Sequence, residues 1–337
     1  MYVIVNRRAR GLRNEGPLLA EQCRARATAT VIQTRSLDEL DQAARRIAAS
    51  PEPVVLCGGD GSHSAGITAL ARAFADSGNV LQAVLPAIAL APGGTVNTVA
   101  KGWGMRGHPV AYTRRLLASI EASTAARTRR PTLLIETEKK EKKDGLTDVP
   151  AAGLGSSAPP SATSHARLGF IFGAGLVSRF FELYDAAGAP GLATAASITA
   201  RVFAGSFVGG VTARRVLTPS PVNLSVDDEP APFASLSLLC ASVIEDVGLG
   251  FRLLYRACES FERFHVVATP LEPRALGPQM TRVLRGRPLR GPRFDALAGE
   301  IDLRFPAGTG AYVVDGELVR GDRVVVRAGP VLEMLEP

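Results

Sequence analysis

Two apolar runs each break off into a glycine-rich loop at the start of a helix, and this repeated pattern restricts the chain more than any other feature. Residues 53–57 lead into Gly58-Gly59-Asp60-Gly61-Ser62, and residues 87–91 lead into Pro92-Gly93-Gly94-Thr95-Val96-Asn97. Residues 2–5 read as a first strand, 17–27 as a helix, 28–33 as a second strand and 37–48 as an amphipathic helix with Ser36 as its N-cap. Further helices are expected over 63–76, 95–102 and 109–121. Such alternation predicts a parallel sheet covered on both faces by helices, with ligands bound beyond the carboxyl ends of the strands. Both glycine loops fall there.

The pattern changes near residue 130. Short strand-like runs at 132–136, 168–172, 222–226, 236–243, 265–268, 300–305, 311–314 and 323–327 are separated by turn residues, which predicts an antiparallel sandwich or barrel-like domain. One helical segment, 177–207, interrupts them. Residues 139–165 combine a charge run with Gly, Ser, Pro and Ala, a composition that buries too little apolar surface to stay ordered, so a flexible loop is expected there. The division that follows is 1–128 for an α/β nucleotide-binding domain and 129–337 for a β-sandwich substrate domain, with the last strand free to pack back on the first.

Glycine lets backbone approach a ligand closely, and N–H groups at the following helix start form a nest for phosphate to which Ser62 adds a hydroxyl. Asp60 suits a substrate hydroxyl or a metal-bound water better than bare phosphate. Thr95 and Asn97 offer a hydroxyl and an amide at the second loop. Either loop alone could be a capped turn. Two on neighbouring strands favour a nucleotide site, although neither has the Walker A spacing. Near the C-terminus, Val313-Val314-Asp315-Gly316-Glu317 combines a hairpin signal with two carboxylates.

With these residues in order, the sequence resembles the diacylglycerol kinase catalytic family, which includes bacterial lipid kinases and sphingosine kinases and shares a fold with NAD kinase. The resemblance rests on Asn6 after the first strand, the Gly58–Ser62 loop, the Pro92–Asn97 loop and the Asp315-Gly316-Glu317 motif, and spans nearly the whole chain. It implies an NAD kinase-like N-terminal α/β domain, a C-terminal antiparallel β-sandwich domain, and a cleft between them in which ATP phosphorylates a lipid hydroxyl. It assigns nucleotide contacts to Asn6, Thr34, Gly58, Gly59, Asp60, Gly61, Ser62, Gly94, Thr95 and Asn97. Glu317 becomes the proton acceptor, with Asp315 and Asp60 as the other catalytic carboxylates. The family's magnesium-holding Asp-Gly segment falls on Glu259-Ser260-Phe261, which makes Glu259 the expected metal ligand. The chain departs from the pattern where Ala65 replaces the glutamate of the GGDGT-x-x-Glu run, and where the first loop reads Asn6-Arg7-Arg8-Ala9-Arg10-Gly11 without the usual Pro and Ser.

Composition sets the remaining expectations. A net charge of +7 suits an anionic partner. Cys23, Cys57, Cys240 and Cys258 have neither metal-ligand nor Cys-x-x-Cys spacing, as in a reduced cytoplasmic protein. No run of eighteen apolar residues occurs, and the N-terminus reads as a strand and not a leader, so membrane contact is expected to be peripheral. Arg274, Arg282, Arg285, Arg287, Arg290 and Arg293 could face anionic headgroups, and the small, apolar residues of 186–211 could line an acyl-chain pocket. The expected cofactors are ATP and Mg²⁺, and the expected partner is a lipid at a membrane surface, with no nucleic acid and a homodimer left open. The expected role lies in phospholipid biosynthesis. Two alternatives stand beside it: a nucleotide- or lipid-binding homologue without turnover, and an NAD kinase relative.

Overall fold

The computed structural model describes the chain except for residues 13–15, 27, 76–78, 95, 106, 139–164 and 189–190. The expected flexible loop lies almost wholly outside the described residues. The N-terminal part runs β1 (Tyr2–Asn6), α1 (Gly16–Arg24), β2 (Thr30–Thr34), α2 (Leu37–Ala49), β3 (Val54–Gly58), α3 (Asp60–Phe74), β4 (Ile88–Pro92), α4 (Thr98–Gly102), α5 (Pro109–Glu121) and β5 (Ala126–Arg130). Strands β3 and β4 are buried throughout, as strands covered on both faces must be. Helix α2 starts where Ser36 accepts a hydrogen bond from the Glu39 N–H, and it buries Leu40, Ala43, Ala44 and Ile47 along one stripe.

The C-terminal part begins with β6 (Leu133–Thr137), β7 (His165–Gly169) and β8 (Ile171–Gly175), then α6 (Leu176–Ala186), α7 (Leu192–Val208) and α8 (Val211–Leu217). Strands β9 (Ser220–Pro221), β10 (Asn223–Val226), β11 (Glu229–Pro230), β12 (Ser235–Leu236), β13 (Leu238–Ser242) and β14 (Phe264–Thr269) follow. Short helices α9 (Pro273–Leu276) and α10 (Met280–Val283) precede β15 (Phe294–Ala298), β16 (Glu300–Arg304), β17 (Ala311–Val314), β18 (Glu317–Arg320), β19 (Arg323–Ala328) and β20 (Leu332–Glu336).

Two six-stranded antiparallel sheets result, ordered β11-β10-β16-β19-β6-β7 and β15-β14-β13-β8-β17-β18. The fold class expected from sequence is the one observed. The single helix expected over 177–207 is instead two, α6 and α7, because the chain turns at Gly188 (φ +68°); beyond that range a left-handed backbone at Gly209 (φ +70°) ends α7. Strands β5 and β15 escape the sequence reading; β5 is an arginine-rich, largely exposed edge with no apolar alternation to betray it.

The first sheet has the order β2-β1-β3-β4-β20-β5, so the C-terminal strand lies between β4 and β5 of the N-terminal sheet. The boundary placed at residue 128 falls inside β5. The two parts are further tied where the Leu168 N–H donates to Thr68 Oγ1 at 2.9 Å and Arg72 Nη2 donates to the Ala166 carbonyl at 2.7 Å, joining α3 to β7. One hydrophobic core runs through both parts, from Val3 and Val55 to Phe172 and Val326.

Met334 of β20 is fully buried between the two parts. Truncation there leaves a cavity, so Met334→Ala should cost about 2–5 kcal/mol of unfolding free energy in a urea titration.

Candidate active site

Parallel pairing of Val54 with Ile88 through Gly58 with Pro92 sends both glycine loops off the same sheet edge side by side. The Gly93 N–H donates to the Gly58 carbonyl at 2.6 Å. A Cβ on Gly94 would stand 2.5 Å from the Gly59 Cα, and one on Gly59 would stand 3.0 Å from the Gly94 Cα, so only glycine allows the loops to meet. Asp60 completes the join. Its carboxylate accepts the Thr98 N–H at 2.7 Å and the Val99 N–H at 3.1 Å, filling two donors that the start of α4 leaves open. Asn97, at φ +54°, accepts the Gly94 N–H at 2.7 Å and donates to the Gly94 carbonyl at 2.9 Å, bracing the second loop internally.

A cavity of about 420 Å³ with a mixed polar and apolar lining opens between β1, α2 and the first glycine loop. Asn6, Thr34, Arg35, Gly59, Ser62 and Gly94 line it, and Asn6 Nδ2 donates to Ser62 Oγ at 2.7 Å across its floor. Cys57 at the base of the loop is buried, and burial pushes its thiol well above the ordinary value. Ala65 also faces this cavity, so the position of the family's glutamate is open space here. The sequence reading missed Arg8 and Arg35, the two cations that reach the cavity.

A second cavity, about 650 Å³ and walled mostly by apolar side chains of α6, α7, β13 and the segment after it, begins where the first ends. Gly59, Gly61 and Gly94 line both. Asp60 and Asp315 are its only acidic residues among those described. Val202 and Phe203 belong to its wall, so part of the 186–211 region does line an apolar chamber.

Asp315 and Gly316 form the two-residue turn of the β17–β18 hairpin, at φ +49° and +85°. The turn sends the two carboxylates of the motif in different directions. Asp315 is buried; its Oδ1 accepts the Phe170 and Ile171 N–H groups at 3.0 and 2.9 Å, while Oδ2 has no partner. Gly169 makes the room, since a Cβ there would lie 2.9 Å from Oδ2. Burial pushes the Asp315 carboxyl up to about 7, against the pull of the Ile171 and Phe170 N–H groups and of Arg167, and Asp60 adds to the rise.

Glu317, by contrast, is 68% exposed, bonds Arg167 Nη1 at 3.0 Å and lines neither cavity. Arg167, absent from the sequence reading, also donates to the Val314 carbonyl at 3.2 Å and so pins the hairpin. Glu259 does not sit at a cation site: Arg256 holds it through three hydrogen bonds of 3.0–3.1 Å and keeps its carboxyl below the usual range. No group of three His, Cys, Asp or Glu side chains among the described residues could hold a metal. Thr95 lies outside the described residues. In the arginine cluster, Arg282 folds back on the Pro288 carbonyl and Arg293 bonds Asp295, so those two are partly engaged within the fold.

Residues 1–126 match the diacylglycerol kinase catalytic domain family. That match covers the first four strands of the parallel sheet and both glycine loops. Among solved structures, a Bacillus anthracis str. Sterne protein provisionally named a diacylglycerol kinase shares 14% identity at a TM-score of 0.62, over 100% of this chain and 96% of its own. A diacylglycerol kinase structure from the same organism shares 14% at 0.54, with the same coverage. Yeast NADH kinase complexed with NADH shares 12% at 0.51, over 100% of this chain and 83% of its own. These identities establish a common fold. No curated protein sequence matches the chain.

A carboxyl whose pKa rises on folding from 3.8 to about 7 supports stability below its unfolded value and loses that support as the pH climbs through the folded one. Asp315→Asn removes the ionisation while keeping an acceptor for both N–H groups. Its urea midpoint should therefore gain on the wild type as the pH rises from about 5 to about 9; a constant gap across that range would mean that Asp315 does not titrate near neutrality.

Proposed function

We propose that this chain is a lipid kinase that transfers the γ-phosphoryl group of ATP to a hydroxyl of diacylglycerol or a related lipid. One observation carries the reading: a cavity of mixed polar and apolar lining and a strongly apolar cavity share the wall of Gly59, Gly61 and Gly94, and the buried Asp315 lines the apolar one. The mixed side suits a nucleotide, with Arg8 and Arg35 for its charge and the N–H groups of the glycine loops for its phosphates. The apolar side suits the chains of a lipid, and an all-polar acceptor such as NAD gains nothing from it.

In this reading the Asp315 carboxylate takes the proton from the lipid hydroxyl as the hydroxyl oxygen bonds the γ-phosphorus and the bond to the β-phosphate oxygen breaks, releasing ADP. Asp60 positions; its carboxylate is committed to holding the two loops together. Magnesium would arrive on the nucleotide, held mainly by phosphates and water, since the described residues offer no cage of their own and Glu259 is taken up by Arg256. No step is assigned to it.

Ala65 favours one other reading, a homologue that binds nucleotide and lipid without turnover, because the nucleotide cavity lacks the acid that the family places there. Labelled product formed from γ-labelled ATP and mixed-micelle diacylglycerol separates the two. With turnover, Asp315→Asn should lower kcat by about 10²–10⁴-fold, the loss expected for a general base, while Glu317→Gln changes it by less than about tenfold. The wild-type rate should rise with pH through an apparent value near 7, and a profile flat from about pH 5 to 9 would remove Asp315 from the role.

A further inference from the structure

Helix α7 is mostly apolar on both sides. Ala195, Thr199 and Val202 line the apolar cavity, while Ala193, Ala196, Ala200, Ala204 and Phe207 are turned to solvent with Ser197 and Arg201 as the polar residues among them, where a surface helix ordinarily carries more charge. Arg201 is the only charged residue in the helix. The chain then bends by 101° at Gly209-Gly210 into α8, and the apex is its most apolar exposed point: Phe207 is 54% exposed, Val208 78% and Val211 86%. No single described helix is long and apolar enough to cross a membrane, but α7 and α8 together have the length and composition of a membrane-contacting segment.

The two stretches that meet at the apex carry charge of one sign. Between Asp185 and Asp227 the sequence contains no acidic residue, and its charges are Arg201, Arg214 and Arg215. A second stretch, from Pro273 to Phe294, is likewise free of acids and carries the six-arginine cluster. The fold brings the two together. A Cβ placed on Gly209 would lie 3.0 Å from Arg214 Nη2 and 3.5 Å from Arg274 Nη2, so guanidinium groups from both stretches flank the bend.

We infer that the α7–α8 corner is a wedge that seats the protein on an anionic bilayer, with Phe207, Val208 and Val211 entering the acyl boundary and Arg214 and Arg274 meeting the headgroups. Apolar insertion alone would not select a lipid and arginines alone would not hold against salt; together they supply the two signals that stable peripheral attachment requires. Because α7 is also a wall of the apolar cavity, the surface that meets the bilayer and the chamber for the lipid are two sides of one helix. This rests on the lipid-kinase reading for the cavity's occupant and adds the face through which that occupant's membrane is met.

The test is co-sedimentation of the full chain with phosphatidylcholine vesicles, with and without phosphatidylglycerol. Wild-type protein should sediment with the anionic vesicles, less so as salt is raised. Phe207→Glu/Val211→Glu should weaken this by at least about tenfold, and Arg214→Gln/Arg274→Gln should abolish the preference for phosphatidylglycerol. Both variants alter exposed side chains outside the two cavities, so thermal unfolding and turnover of a short-chain diacylglycerol dissolved as monomers should match wild type. Wild-type sedimentation by the glutamate variant overturns the inference, as does a wild type that ignores anionic vesicles. So does a wild-type dimer that the glutamate variant converts to monomer without any vesicle binding. Anionic-vesicle binding lost in the variants, by a protein that turns over no short-chain substrate, upholds the wedge and removes only the kinase reading.

Discussion

The site depends on two hydrogen bonds from α4 to the Asp60 carboxylate. Asp60 begins one helix and closes the open N-terminus of another, so a single side chain fixes the separation of two loops more than thirty residues apart in sequence. Hydrogen bonds to a charged acceptor contribute about 1.5–3 kcal/mol each, enough to hold the strandless stretch around Gly93 and Gly94 against Gly59. The same geometry commits Asp60 to structure, because each of its two oxygens holds an N–H group. In the proposed reading the role of proton acceptor passes to Asp315, whose two N–H partners share one oxygen.

That residue reaches the cleft through the threading of the last part of the chain. Hairpin β17–β18 belongs to one antiparallel sheet, β19 to the other, and β20 to the N-terminal parallel sheet, so consecutive strands visit all three. The turn holding Asp315 is thus anchored on one side by Phe170 and Ile171 and on the other by a chain that ends inside the nucleotide domain. With Leu168 bonded to Thr68 of α3, the helix after the first glycine loop and the strand beneath Asp315 are joined directly. Moving one wall of the cleft therefore disturbs the other.

Much of this was legible in the sequence because it is local. Buried strands that end in glycine loops, the Ser36 cap and the change from alternating helices to short strands all lie within a few residues of one another, and the structure realises each. What was not legible depends on distant partners. Within Asp315-Gly316-Glu317 both carboxylates carry the same local signal, and the resemblance favours Glu317. Which one enters the cleft is settled by the left-handed turn and by the missing side chain at Gly169, far back in the sequence. Glu259 differs, because Arg256 three residues earlier already announced an ion pair and that spacing could have been read. The helix expected over 177–207 failed for a local reason as well, since Gly188, Pro190 and Gly191 mark its one break in the sequence and the apolar pattern on either side hid it.

The environment of Asp315 matches the chemistry it is offered. Two N–H groups on Oδ1 stabilise the anion, burial opposes it, and Asp60 nearby raises the carboxyl further while Arg167 lowers it. A carboxylate bound on both oxygens would be a weaker base than a lipid hydroxyl needs, and one with no donors in an apolar wall would stay protonated at neutral pH. Satisfying one oxygen and leaving the other bare lies between these limits. In the proposed lipid-kinase reading, it places the group near the pH at which it would both receive a proton from the attacking hydroxyl and release it afterwards. Glu317 lacks this setting, because it is exposed, pairs with Arg167 and lines neither cavity.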